Sequence, residues 1–307
     1  MRTVIDIGTN STLLLIGRLN VNNSVESIVQ RFNVTRLGEG VHQTAMLNDN
    51  AIERTLNVLG KYRDEINNFG PMPVHLIGTQ ALRIAKNASK FVEIVKKNFN
   101  WDIRIISGDE EAQFSFIGAV DGFQAHLEQL IVMDLGGGST EIILGEGNRI
   151  TGHQSLPLGV VRAAEKLNMK ENISGAESDE IIGWALDVFK KLSIPLRSSP
   201  SRIIGVGGTI TTLAAIKEKM NEYDSEKING CVLSQHDLWT LYNFLNTLSL
   251  AERRSIPGLV KGREDVILYG VLIFIAFLQY TTIDHVIASD RGLRFGVLKY
   301  EELQERI

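Results

Sequence analysis

The sequence predicts an α/β protein made of two similar layered domains, residues 1–122 and 123–290. Three observations carry that prediction. First, a strand–turn–strand pattern occurs twice: residues 6–11 read DIGTNS and residues 134–141 read DLGGGSTE, 128 positions apart. Each follows an apolar run (Thr3-Val4-Ile5; Leu130-Ile131-Val132-Met133) and precedes another (Leu13 to Ile16; Ile142 to Leu144). Second, both halves open β-rich and pass into alternating strands and helices, the pattern of a sheet covered by helices. Third, 307 residues suffice for two domains with cores of their own. The repeat is thus a domain duplication and not a short-period solenoid.

In the first domain, strands are expected at 2–7, 12–19 and about 25–36, then a helix near 48–68. A strand at 73–78 draws its apolar content from Val74, Leu76 and Ile77, and is followed by a helix over 80–98, a strand at 103–106 and a helix from 108. Asp121-Gly122 interrupts the pattern and marks the boundary. The second domain reopens with strands at 129–134, 140–145 and 149–155, then helices. A strand at 202–206 runs into the turn Gly205-Val206-Gly207-Gly208-Thr209 and a helix. Helices near 234–247, 262–279 and 291–305 and a strand at 284–288 complete the chain, and the C-terminal helix 291–307 is expected to rejoin the first domain. The most apolar run, 266–278 (VILYGVLIFIAFL), falls short of the roughly 20 residues that a membrane helix needs. It reads as a buried core helix.

Composition narrows the function. An apolar content of 44% with 22% charged residues is that of an ordinary globular protein. A net charge of -4 argues against general nucleic-acid binding. The single cysteine, Cys231, excludes an internal disulfide and fits a reducing cytoplasm. The N-terminus opens directly on a strand without a signal-peptide pattern. A cytoplasmic protein without membrane or nucleic-acid partners is the expectation.

The motifs point to phosphate. Asp6 and Asp134 each end an apolar strand, where a carboxylate is costly to bury unless a metal or hydrogen-bond donors face it. The plainer reading, an aspartate capping its own turn, fits one copy better than two. Gly136, Gly137 and Gly138 before Ser139-Thr140 let backbone amides approach an anion closely, where a simple hairpin rarely needs three glycines. Glu141, on the returning strand, is placed to share a cation with Asp134. Gly205, Gly207, Gly208 and Thr209 join a strand to a helix N-terminus, which also suits phosphate, although many α/β folds put glycine there. No Walker A lysine follows. Residues 107–112 read SGDEEA, in which Ser107 and Glu110 form a capping box and Glu111 is left without a local partner. Glu111 is either a general base for water or a solvated acid favoured by the helix dipole. Arg83, in the first turn of the helix after strand 73–78, is either a phosphate ligand or a surface arginine. The Cys-x5-Arg loop, the Gly-x-Ser-x-Gly elbow and His-Glu-x-x-His are absent. Ser234 to Asp237 reads as a helix start.

The chain resembles the exopolyphosphatase and guanosine pentaphosphate phosphohydrolase family, within the superfamily of acetate and sugar kinases, Hsp70 and actin. The resemblance rests on DIGTNS (6–11), RLGEG (36–40), GTQALRIAKN (78–87), ISGDEEA (106–112), DLGGGSTE (134–141), SLPLGVVR (155–162), GVGGTITTLAA (205–215), ERRSIPGL (252–259), GREDVI (262–267) and SDRGLR (289–294). It implies two actin-like (ribonuclease H-like) domains with a cleft between them, and hydrolysis of a terminal phosphate from inorganic polyphosphate or guanosine pentaphosphate. It makes Glu111 the base, Arg83 a charge-neutralising arginine, and Asp134 and Glu141, with Asp6, the acidic residues near Mg2+. Thr9, Asn10, Ser11, Gly136, Gly137, Gly138, Ser139, Gly207, Gly208 and Thr209 become the phosphate-binding turns. A homodimer is compatible with it. Phe295 departs from the family, where an acidic residue is common, and Thr12-Leu13 replaces a bulkier or basic pair. Longer members continue past SDRGLR into further helical domains, so a strong preference for very long chains is not expected here. The phosphate motifs alone leave open a kinase of the same superfamily, a nucleotide-binding filament protein and a weakly active binder.

Overall fold

The computed structural model describes residues 1–121, 123, 129–147, 149–194 and 202–304. Gly122, taken above as the boundary, lies outside them, as do residues 305–307 of the C-terminal segment. The chain divides into two compact units, Met1–Phe123 with Leu293–Ile307, and Gln124–Gly292.

The first unit begins with β1 (Arg2–Ile7), β2 (Ser11–Leu19) and β3 (Val25–Val34), all antiparallel neighbours. Short α1 (Val41–Thr44) leads to α2 (Asp49–Asn67), which Asn48 caps by accepting the Asn50 amide. β4 (Val74–Gly78) pairs parallel to β1, and β5 (Ile103–Ile105) parallel to β4. The sheet order is therefore β3-β2-β1-β4-β5. β1 is central and covered on both faces, which is why TVIDI carries so little polarity.

The helix expected over 80–98 is two helices, α3 (Gln80–Ile84) and α4 (Ala88–Phe99). Asn87 is the reason. Its side chain accepts the Leu47 amide at 2.8 Å and donates to the Leu47 carbonyl at 3.0 Å, and the Lys86 amide donates to Ala45. A stretch with helical composition is pulled out of helix by hydrogen bonds formed 40 residues away. α5 (Gly108–Ala119) follows β5 directly.

The second unit repeats the plan. β6 (Gln129–Leu135), β7 (Thr140–Glu146) and β8 (Arg149–Leu156) are antiparallel neighbours. α6 (Val160–Lys166) and α7 (Gly175–Phe189) precede β9 (Arg202–Val206), which runs parallel to β6 and leads into α8 (Gly208–Lys217). Then come α9 (Ser225–Ile228), β10 (Val232–Ser234), α10 (Gln235–Asn246), α11 (Leu250–Arg253), α12 (Ile267–Thr281) and β11 (His285–Ala288). β10 and α11 are too short to show a period and escape the sequence reading. Sheet order is β10-β11-β9-β6-β7-β8. α12 starts at Ile267, so GREDV lies in turns ahead of it and not in the helix expected from 262. Residues Ile267 to Leu278 are all buried, as expected of a helix apolar on every face. Among the described residues no helix is long and apolar enough to cross a membrane.

α13 (Leu293–Gln304) returns to the first unit, where it packs on α5, β1 and β2. Phe295 is 1% exposed in that core, beside Phe114, Val4 and Leu15. A carboxylate at 295 would be desolvated in this chain.

Candidate active site

The duplicated turns have the same geometry. Gly8 donates its amide to the Ser11 carbonyl at 2.9 Å, and Gly136 donates to Ser139 at 3.0 Å. The flanking pairs also correspond, Ile7 opposite Thr12 and Leu135 opposite Thr140. In the first unit the loop carrying RLGEG clasps the turn. Thr35 and Arg36 amides donate to Asn10, and Gly38 donates to Thr9. Thr9 and Asn10 are buried, while Ser11 is half-buried. Thr12 shares a 2.9 Å hydroxyl hydrogen bond with Thr35 and accepts the Tyr62 hydroxyl on its carbonyl. In the second unit the start of α6 does the clasping, with Val160 donating to Gly136, and Val161 and Arg162 to Gly137. Carbonyls of both turns are thereby tied to the surrounding fold.

The third turn lies beside the second. β9 runs next to β6, with Asp134 at the level of Val206. Gly207 has φ +91°, and a Cβ there would stand 2.8 Å from the Leu135 carbonyl oxygen and 3.3 Å from Asp134 Oδ1. Only glycine fits that position without strain. Gly208, at the start of α8, is in van der Waals contact with the Arg263 guanidinium, which occupies the space a side chain would need. Arg263 is 7% exposed, and burial pulls its guanidinium down to about 10. Sequence reasoning quotes GREDVI for its resemblance alone and gives Arg263 no task; a basic residue just before a wholly apolar helix was the available signal. Ser289 donates its amide to Gly205 at 2.9 Å, and the buried carboxylate of Asp290 accepts the Ser225 hydroxyl.

Glu111 and Arg83 are brought together. Arg83 Nη1 donates to Glu111 Oε2 at 2.6 Å and to the Ile106 carbonyl at 2.9 Å. Glu111, which has no local partner in the sequence, is thus met by an arginine 28 positions away. The cause is topological. β4 and β5 are adjacent parallel strands, so α3 and α5, which follow them, both start at the same end of the sheet. The capping box is as expected: the Glu110 amide donates to Ser107 Oγ, and Glu110 Oε2 accepts the Ser107 amide at 2.8 Å. The Ser107 amide, aided by Arg104, holds the Glu110 carboxyl below the usual range.

The acidic residues separate. Asp134 stands opposite Glu141 across β6 and β7, so the two carboxylates share one face on neighbouring strands. Glu141 is 3% exposed and its Oε1 accepts the Ser155 hydroxyl at 2.8 Å. Asp6 occupies the position in the first unit that corresponds to Asp134, but Leu13 stands opposite it. Among the described residues no group of three or more His, Cys, Asp or Glu side chains is gathered to hold a metal ion. The Asp134–Glu141 pair still fits magnesium, which is commonly bound through one or two carboxylates and completed by water and substrate phosphates.

Residues 18–305 match the model of the Ppx/GppA phosphatase family. The chain is 34% identical over 315 residues to a bifunctional 3-dehydroquinate synthase/phosphatase of Fusobacterium nucleatum, covering 97% of this chain but only 46% of that protein. It is 29% identical to exopolyphosphatase 2 of Mycobacterium tuberculosis, covering 88% of this chain and 87% of that one. Its fold is similar to the crystal structure of the Aquifex aeolicus member of the Ppx/GppA protein family, with TM-score 0.82, 31% identity, and coverage of 100% of this chain and 98% of the other. The chain belongs to the Ppx/GppA phosphatase family, whose members are two-domain actin-like proteins that hydrolyse phosphoanhydrides.

Proposed function

We propose that this chain is an exopolyphosphatase that removes the terminal phosphate of inorganic polyphosphate by direct attack of water. The observation that carries the reading is the pairing of Arg83, on α3, with Glu111 in the first turn of α5. A carboxylate held at a helix start, with an arginine fixing its direction, is equipped to take a proton from water, whereas a kinase has no need of a base directed at water. Glu111 deprotonates and orients the attacking water. The turns at Thr9–Ser11 and Gly136–Ser139, and the start of α8 at Gly207, Gly208 and Thr209, receive phosphate oxygens on amides and hydroxyls. Arg83, anchored to Ile106, offsets phosphate charge and holds Glu111 in place.

Asp134 and Glu141 are the residues that would hold Mg2+, which when bound offsets oxygen charge and orients the phosphoryl group. Asp6 is a further acid at the phosphate end of its own unit. No covalent phospho-enzyme is required.

Phosphate release with magnesium, measured side by side on short polyphosphate, long polyphosphate, guanosine pentaphosphate and ATP, tests the substrate. Polyphosphate should be the best of the four. Preference for guanosine pentaphosphate would make the chain a nucleotide 5′-phosphohydrolase with the same residues in the same roles. Glu111→Gln should fold as the parent does and lose about a hundredfold to ten-thousandfold in turnover. Near-parent turnover would remove the general base from the reading. Light scattering on the same preparation tests for the homodimer that is compatible with the family resemblance.

A further inference from the structure

We infer that Ser155 is a positioning residue for the cation-binding carboxylates: its hydroxyl fixes the Glu141 side chain beside Asp134, so that the pair meets a divalent cation preformed. The inference rests on the assignment of Asp134 and Glu141 to magnesium made above. Its geometry comes from strand register. Asp134 on β6 stands opposite Glu141 on β7, and Glu141 stands opposite Ser155 on β8. Directly opposed residues share a face, with Cβ atoms about 4.5–5.5 Å apart. The three side chains therefore form one row across the sheet, at the end that carries the Gly136–Ser139 turn.

Glutamate in the middle of such a row has freedom to lose and a reason to turn away. Like charges directly opposed on neighbouring strands repel, so an unrestrained Glu141 would swing from Asp134 before any cation arrived. Ser155 Oγ donates to Glu141 Oε1 at 2.8 Å, which holds one carboxylate oxygen in place. Glu141 is 3% exposed, so its carboxylate has given up water and needs hydrogen-bond donors in return. A hydroxyl supplies one without adding charge. The contrast with Glu111 is informative: that carboxylate is met by the Arg83 guanidinium, whereas the Ser155 hydroxyl brings no charge of its own to Glu141.

The other half of the duplication serves as an internal control. In the first unit the corresponding row reads Asp6, Leu13 and Phe32 on β1, β2 and β3. The same strand–turn–strand forms there, with the same closing hydrogen bond and with apolar residues in the places of the glutamate and the serine. Neither the glutamate nor the serine is required to build the turn or to pair the strands. Their joint presence in the second unit is a property of what that unit binds.

Magnesium titration by calorimetry on the full chain without substrate tests this. Ser155→Ala should weaken the Mg2+ dissociation constant about tenfold or more, the range seen when an outer partner of a metal ligand is removed. Its melting temperature without metal should fall by only about 2–4 °C, because the hydroxyl lost from the edge strand β8 is a single donor to the buried Glu141 carboxylate. Ser155→Thr keeps the hydroxyl on a strand-compatible side chain and should restore most of the affinity. A Ser155→Ala variant that binds magnesium as tightly as the parent overturns the inference, and so does a Ser155→Thr variant as weak as alanine. A parent that binds no magnesium, or an Asp134→Asn variant that binds as the parent does, overturns the metal assignment itself.

Discussion

At the residue scale, the chemistry depends on partners that lie far off in sequence. Arg83 is 28 positions from Glu111, and its Nη1 contacts both Glu111 and the Ile106 carbonyl. Arg83→Ala should therefore lower kcat/KM on polyphosphate, both by freeing the Glu111 side chain and by removing a charge that faces phosphate. Arg83→Lys keeps the charge but not the planar fork, and should recover only part of the loss. An Arg83→Ala variant with the parent kcat/KM would remove Arg83 from the site. Gly207 is the second residue where one atom matters. Its positive φ and its approach to the Leu135 carbonyl mean that Gly207→Ala should cost about 1–3 kcal/mol in urea unfolding, and disturb Asp134 as well.

At the element scale, the helix starts at Ser107 and Ser234 were legible in the sequence, and the same device starts helices at Ser174 and Ser249, where it was not read. Ser107 with Glu110, Ser174 with Glu177, Ser234 with Asp237 and Ser249 with Glu252 each form a complete capping box. These are contacts across three residues, so local sequence decides them. Ser107→Ala should cost about 1 kcal/mol of stability and loosen the turn that carries Glu111, read out as a fall in turnover larger than the fall in melting temperature explains. The break between α3 and α4 was not legible, because the Asn87–Leu47 hydrogen bonds that cause it span 40 residues. Strands longer than five residues were placed well by their apolar runs. β10, with three residues, was invisible until its antiparallel partner β11 defined it.

For the whole molecule, stability has identifiable anchors and a defined acid limit. Arg253 is fully buried in the second unit and donates to three carbonyls, those of Leu245, Glu264 and Glu171. Arg253→Met fills much of the volume but leaves those acceptors unmet, and should destabilise by several kcal/mol, since each unmet buried group costs about 1–3 kcal/mol. On the acid side, the Lys170 ammonium, followed by the Ser174 cap, lowers Glu177 from its ordinary 4.5 to about 2. The native state thus releases this proton more readily than the unfolded chain does. The stabilisation is complete above pH 4.5 and is lost as pH falls from there toward 2. Glu177→Gln should flatten that part of the stability–pH curve, measured by urea melts at pH 3 and 7, and raising salt should shrink the difference.

The sequence by itself determined the α/β class, the duplicated turns and the buried apolar helix, because these follow from short-range periodicity and from glycine's lack of a side chain. It also named the carboxylates and the arginine from which the site is built. Tertiary structure decided how they are partnered. Parallel pairing of β4 with β5 joins Arg83 to Glu111, antiparallel register sets Asp134 against Glu141 and Leu13 against Asp6, and chain folding brings Arg263 onto Gly208. Register and strand order are settled by long-range pairing, and a one-residue slip would turn each of these side chains to the other face. The shared register is why the one difference between the two motifs at that place, Glu141 where the first has Leu13, puts a second carboxylate beside Asp134 and none beside Asp6.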